Sequence, residues 1–318
     1  MNTRVSILIP IYKAEEYIEE CLCSVFEQTY HNIEYVLVND CTPDNSMQIV
    51  KDTLKMYPQR AASVKIIENE INKGITYTRN ILWENASGDY IYYVDSDDFI
   101  ANNAIEIFVK AAEKENADIV RCNFNRYTKD KITQVSRKPP THDEDMLTHC
   151  LAHENAMTFL WLLFIRRELF TMHNLFFPED IFACEDFLMT IKLFYYTNKI
   201  IDIPDSLYFY RVENEQSITH NEKEFRINAC HAFERIAEFL REQNIYERYR
   251  EFLLKQMFTC KQNFLLSKSI RDIPMYINTF PESNKYYKLY KYSKKQQLLF
   301  YLAEHKFYFL LKLFCKLN

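Results

Sequence analysis

Glycine is almost missing from this chain: two residues in 318, Gly74 and Gly88, where average usage would give roughly twenty. Phosphate-binding loops of the GxGxxG and GxxxxGK[ST] kinds need several glycines in a short span to bring backbone close to phosphate. Their absence excludes a classical dinucleotide-binding domain and a P-loop NTPase. Collagen-like, glycine-rich disordered and propeller readings go with them. The nine cysteines are an odd count and form no CxxC pair, which predicts reduced thiols in a cytosolic chain rather than a disulfide scaffold or a zinc site. No run approaches the roughly 18 apolar residues of a spanning helix, and the opening MNTRVSILIPIY, followed at once by Lys13, Glu15 and Glu16, does not read as a signal peptide. A net charge of −5 gives no support for nucleic-acid binding. Eight histidines make no HExxH pattern, and no GxSxG elbow occurs.

What is present alternates. Val5–Ile9 is a continuous apolar run stopped by Pro10, as a parallel strand buried on both faces would be. Ala14, Tyr17, Ile18, Cys21, Leu22, Val25 and Phe26 follow helical spacing. Strands at Tyr35–Val38, Val64–Ile67 and Tyr90–Val94 then alternate with helices at Asp44–Tyr57 and Thr76–Asn85. This predicts an α/β fold with an open, mostly parallel sheet flanked by helices, whose ligands bind at the carboxyl ends of the strands. Those ends carry Tyr12 and Lys13, Asn39 and Asp40, Asn72-Lys73-Gly74, and Asp95-Ser96-Asp97-Asp98. Gly88 stands where a helix C-cap is expected before the fourth strand, and Gly74 in a loop where backbone could approach a ligand.

From about 101 to 220 the pattern is α+β. Helices are expected at Asn102–Lys114, Met157–Phe170 and Glu185–Tyr196, and strands at Ile119–Tyr127, Ile132–Val135, Ile200–Ile203 and Leu207–Tyr210. Beyond 221 the chain turns helical, with Phe225–Glu242 and Tyr246–Ser267 as an expected antiparallel pair. The domains expected are thus 1–220, with a first half of about 1–100 and a second half of about 101–220, and a helical region 221–318. Residues 285–318 hold eight lysines against Glu304 alone, a net +7, so the remainder carries −12. A basic, aromatic, amphipathic stretch of this kind suits an in-plane membrane contact; the alternative is a helix packed on the domain or on a second subunit of an oligomer.

Asp95 and Asp97, two apart in extended chain, would point the same way and share one metal or one metal–ribose site. Magnesium or manganese on a diphosphate needs few protein carboxylates, because phosphate and water complete its shell. The competing role is a solvated acidic turn with Asp98 or Asn102 capping the next helix. Asp40 can accept from a nucleobase or ribose, or can be a turn-former in an Asn-Asp-Cys-Thr-Pro-Asp stretch. Arg79 can reach a phosphate or base, or be an ordinary surface arginine. Glu185 and Asp186 open a helix, where acids are commonly dipole partners.

Taken in order, VSILIPIYKAEEYIEECLCSVFEQTYHNIEYVLVNDCTPDNS, NKGITYTRN, GDYIYYVDSDD, FACEDFLMTIKLF and YFYRVENEQSIT resemble a bacterial family 2 inverting glycosyltransferase. The resemblance covers residues 1 to about 220 and implies a donor half of about 1–100 and an acceptor half of about 101–220, in which Trp161 stands where acceptor contacts would fall, with a core aromatic as its plainer role. It implies a GT-A fold followed by a helical extension, a nucleotide-sugar donor (a UDP-sugar foremost) and a divalent cation, Mn²⁺ or Mg²⁺. It further implies that Pro10, Tyr12 and Asp40 hold the base, that Asn72 and Arg79 contact the donor, and that Asp95 faces the ribose. Asp97 would take the metal, with Asp98 one position away as the alternative, and Asp186 would be the general base. Arg211 and Ser217 would close over the diphosphate. Where many relatives have Asn after Pro-x-Tyr this chain has Lys13, and where many have Gly after Asn-Asp it has Cys41. The implied acceptor is a glycan or polyprenyl-linked glycan of surface polysaccharide synthesis, met at the cytoplasmic face of a membrane. A non-catalytic nucleotide-sugar-binding subunit and a nucleotidyltransferase are the rival readings.

Overall fold

A computed structural model describes the chain except residues 1, 138, 142–143, 153–158, 213–221, 268 and 318. It divides into two compact units, Met1–Thr141 with Asn155–His220, and His142–Glu154 with Asn221–Asn318.

The first unit opens with β1 (Val5–Ile11), α1 (Ile18–Phe26), β2 (Ile33–Asn39), α2 (Ser46–Met56), a short α3 (Pro58–Ala61), β3 (Val64–Glu68), α4 (Ile75–Glu84) and β4 (Tyr90–Tyr93). Every residue of β1, β2 and β4 is buried, which is why their sequences are continuous apolar runs rather than alternating ones. Then come β5 (Phe99–Ile100), α5 (Ala104–Glu115), β6 (Ile119–Thr128) and β7 (Lys131–Val135). After a passage through the other unit, where α6 (Met146–Ala152) lies, the chain returns as β8 (Leu163–Arg166), α7 (Glu168–Met172), α8 (Glu185–Tyr196) and β9 (Ile200–Arg211). The sheet order is β3-β2-β1-β4-β8-β6-β9-β5, with β7 paired to β6. β1 to β4 are mutually parallel, and β6 and β9 share their direction through the antiparallel β8.

Three expectations need correction. Pro10 does not stop β1: the strand runs on to Ile11. The β4 ladder ends at Leu8–Tyr93 while β2 continues alongside, so the missing N–H falls where β1 has become an edge. The segment expected as one helix over 157–170 is a 3-10 turn at Leu160–Leu162, then β8, then the start of α7, with its first two residues outside the described ones. Its apolar run is buried because β8 is inserted between β4 and β6. The two strands expected at 200–210 are one, β9; its register against β6 slips between Arg121 and Phe124. There Asn123 and Asn125 donate side-chain N–H groups to the carbonyls of Pro204 and Ser206 at 2.9 and 3.2 Å.

Gly88 is not a helix cap either, since α4 closes on Asn85. Its N–H donates to Ser6 Oγ at 2.8 Å and Glu34 Oε1 at 3.0 Å. A Cβ there would lie 2.6 Å from Ser6 Oγ, 2.7 Å from Ser6 N and 2.9 Å from Arg4 O. Gly88→Ala is therefore expected to destabilise by about 2–3 kcal/mol, measured as a lower urea midpoint at unchanged m-value.

The second unit is helical: α6, α9 (Glu222–Glu242), α10 (Tyr246–Leu266), α11 (Ile273–Asn278), a 3-10 stretch Pro281–Leu289, α12 (Lys294–Glu304) and α13 (Tyr308–Leu317). Buried Lys261 on α10 donates to the carbonyls of Thr279 and Phe280 and to Asn284 Oδ1 at 2.5–2.8 Å. That ammonium fixes the turn that follows α11. No helix among the described residues is long and apolar enough to cross a membrane.

Candidate active site

The acidic segment after β4 is a turn and not extended chain: Asp98 N donates to Asp95 O at 3.1 Å. The turn separates the carboxylates by environment. Asp98 points inward, accepting from Tyr208 OH at 2.8 Å and from Arg211 N at 2.7 Å, and burial pushes its pKa well above the usual carboxylate range. Tyr208 OH also receives the Asp95 N–H at 3.2 Å, so β9 holds the turn at both ends. Asp97 is half-buried, and the Asp95 side chain is 28% exposed. Burial raises Asp95 to about 6 against the pull of Arg79, with Asp97 and Asp186 pushing the same way. Asp98 is thereby engaged by β9, while Asp95 and Asp97 keep exposed surface and repel one another.

Arg79 is not a surface residue. It lies buried on α4, ion-paired to Glu185 and 3.8 Å from Asp95 Oδ1, with its guanidinium 5.8 Å from the Phe177 ring. Glu185 and Asp186 form the first turn of α8, behind Cys184 in the left-handed region. Asp186 Oδ1 accepts the Phe187 N–H at 2.8 Å. Burial raises the Asp186 pKa against the opposing field of Arg79, and takes Glu185 to about 7. One guanidinium, on α4, thus stands among the carboxylates of Asp95, after β4, and of Glu185 and Asp186, both on α8. Glu185 is the residue that sequence reasoning passes over: it reads only as the neighbour of Asp186, and no local pattern signals a partner 106 residues away.

Asp40 is a buried acceptor rather than a solvated turn residue. Its carboxylate receives the N–H of Lys73 and of Gly74, each at 2.8 Å, and Asn69 Nδ2 at 2.9 Å. It thereby holds the loop that starts α4. Gly74 is the N-cap of α4 at φ +86° with open space around it, so conformation rather than crowding requires glycine there. Asn72 is exposed, its Oδ1 accepting the Gly74 N–H at 3.1 Å. Pro10 is buried in β1, and Tyr12 beyond it is 41% exposed with Lys13 Nζ 5.4 Å from its ring centre.

Arg211 is occupied. It ion-pairs with Glu20, donates through Nε to Asp97 O at 2.9 Å, and lies over the Tyr17 and Tyr127 rings at 4.8 and 4.9 Å. It fixes the backbone of the acidic turn. Ser217 lies outside the described residues. Trp161 is a buried aromatic, stacked on Phe159, Tyr208 and Tyr210.

Lys13 and Cys41 both have φ near +50° (51° and 52°), a region costly for side chains other than Gly and Asn. Lys13→Asn and Cys41→Gly are each expected to raise unfolding stability by about 0.5–1 kcal/mol, read as a higher thermal midpoint.

Among the described residues no group of three or more His, Cys, Asp or Glu forms a metal cage. Two mutually repelling carboxylates at a strand end nonetheless fit Mg²⁺ or Mn²⁺, which takes one or two protein carboxylates when a diphosphate supplies the rest.

Residues 6–173 match the family described as Glycosyl transferase family 2, more than half the chain. The chain belongs to that family. The family 2 chain is 36% identical over 224 residues to the glycosyltransferase EpsJ of Bacillus subtilis, an alignment covering 68% of this chain and 62% of EpsJ. It therefore spans less than two thirds of that relative. In fold it is similar to Staphylococcus aureus TarS 1-349, solved in complex with UDP: TM-score 0.72, 21% identity, covering 98% of this chain and 90% of that one. It is also similar to the mannosyltransferase PcManGT of Pyrobaculum calidifontis in complex with GDP-Man and Mn²⁺: TM-score 0.59, 18% identity, 99% and 85% covered. The architecture is thus GT-A type, with a helical region after the sheet.

Proposed function

We propose that this family 2 chain is a divalent-cation-dependent, inverting glycosyltransferase. It moves a sugar from a nucleotide-sugar, a UDP-sugar foremost, to a hydroxyl of a glycan or lipid-linked glycan acceptor in surface polysaccharide synthesis. The observation that carries the reading is the ion network of Arg79 with Glu185 and Asp95. It ties the acidic turn after β4 to the start of α8, within reach of Asp186's charge. UDP in one fold neighbour, and GDP-Man with Mn²⁺ in another, support the ligand classes.

Asp186 accepts the proton of the acceptor hydroxyl. The freed oxygen lone pair attacks the anomeric carbon, and the bond from that carbon to the diphosphate oxygen breaks on the opposite face, its electrons leaving with the nucleoside diphosphate. Burial strengthens Asp186 as a base by raising its pKa. Asp95 and the loop fixed by Asp40 position the donor, with Pro10, Tyr12 and Asn72 on the nucleoside side. Arg79 keeps the acids of this site from destabilising one another. A cation held by Asp97, with Asp95 beside it, would add positive charge for the departing diphosphate; the engagement of Asp98 by β9 favours Asp97 for that task.

The test is turnover of UDP-, GDP- and dTDP-sugars with Mn²⁺, with Mg²⁺ and with EDTA, with the product anomer assigned by NMR. Metal-dependent release of one nucleotide class with inversion is expected. Turnover that survives EDTA, or a retained anomer, would contradict the mechanism. Binding without any turnover would favour a non-catalytic subunit.

A further inference from the structure

Helix α13 is apolar on two opposite faces. Leu311 and Cys315 are buried within the second unit, while Phe309 (79% exposed), Leu310 and Leu313 stand in solvent. At 100° per residue the three exposed side chains span about 100° of arc, opposite the packed pair. A second apolar face left in solvent opposite a packed one marks a contact surface, so this outer face calls for a partner. Phe307 beside it, and Leu298 and Tyr301 on α12, are exposed as well.

Charge says which partner. Exposed lysines at 285, 288, 291, 294, 295, 306 and 312 accompany these side chains, and the stretch 285–318 carries a net +7. Lys312 lies one position from the exposed stripe, where its stem can follow the apolar surface while its ammonium reaches a headgroup. A second copy of the chain meeting this face through a two-fold axis would set +7 against +7. An anionic bilayer satisfies both properties, taking apolar side chains into its acyl boundary and lysines at its phosphates. A recess of about 470 Å³ whose lining includes Tyr290, Lys294 and Tyr301 adds a place for one phosphate headgroup within the size range of small-ligand sites.

We propose that the second unit docks on an anionic lipid bilayer, with the outer face of α13 inserted at the headgroup boundary and the surrounding lysines on the lipid phosphates. The proposal concerns residues outside the acidic site and its test reads no enzymatic activity, so its failure leaves the glycosyl-transfer reading standing.

The test uses the full chain with vesicles of phosphatidylcholine alone and with about one third phosphatidylglycerol. The wild type is expected to co-sediment with the anionic vesicles only, with at least about tenfold weaker binding at 0.5 M salt than at low salt. Phe309→Ser with Leu313→Ser should reduce binding by at least about tenfold; both positions are exposed, and an unchanged thermal midpoint would show that the fold is intact. Phe309→Trp should shift its emission to the blue on anionic vesicles and be quenched by brominated acyl chains, since Trp83 and Trp161 are both buried. No vesicle binding would overturn the proposal. So would a dimer by sedimentation velocity that the double serine variant dissociates, with the emission of the Phe309→Trp variant indifferent to brominated lipid.

Discussion

Asp186→Asn should lower kcat by about 10²–10⁴-fold, the usual contribution of a positioned general base, while the dissociation constant for the nucleotide-sugar changes little. The amide is isosteric but cannot take the acceptor proton. The same reasoning gives a pH profile. The active form of Asp186 is the carboxylate, so activity is lost as pH falls through its pKa, which burial raises above the ordinary aspartate value. The acid limb of kcat/KM should therefore lie above about pH 4 and should be absent from the residual rate of the variant. In cation-free enzyme, donor binding should also weaken as pH falls through about 6, where Asp95 takes up a proton. An unchanged kcat in Asp186→Asn would remove this residue from the chemistry.

Breaking the Arg79–Glu185 pair should be the most destabilising change in the first unit. Both side chains are about nine-tenths buried, and removing one member of such a pair leaves an uncompensated charge, a loss of about 3–5 kcal/mol. Arg79→Met strands the carboxylates of Asp95, Glu185 and Asp186 together, whereas Glu185→Gln leaves Arg79 beside Asp95. Arg79→Met is therefore expected to cost more and to weaken donor binding further. Combining Arg79→Met with Glu185→Met should recover part of the loss, because the two effects are not additive for contacting residues. Urea unfolding of the wild type and these variants measures this, with Glu185→Met alone completing the cycle; strictly additive losses would show that the pair does not couple.

How much of this is readable in the sequence depends on distance along the chain. β1 to β4, α1, α2 and α4 are local patterns, and their boundaries fall within a few residues of the apolar periodicities. β8 reads as helix because Leu160–Ile165 is a short continuous apolar run, which periodicity cannot assign to strand or helix; its place between β4 and β6 decides the matter. β9 reads as two strands parted at Pro204 because a bulge opposite β6, bridged by asparagine side chains, has no signature in the strand itself.

The site shows the same division. That polar residues would cluster at strand ends follows from the topology rule. The rule does not say which carboxylate of the acidic turn faces inward. That depends on Tyr208 and Arg211, more than a hundred residues away. Nor can helix spacing show that Arg79 is buried, since its partner Glu185 comes from α8. Asp40 illustrates a third case: its position at the end of β2 is legible, but its grip on the loop before α4 emerges only when β2 and that loop are brought together.

The central claim is a nucleotide-sugar site that depends on a cation held at the acidic turn. Calorimetric titration of UDP into wild type and Asp97→Ala, with Mn²⁺ and with EDTA, tests it most directly. The account predicts binding to the wild type with Mn²⁺, weakened at least about tenfold by EDTA, and a variant whose weak binding no longer responds to the metal. Equal affinity of the two proteins, with and without Mn²⁺, would contradict it.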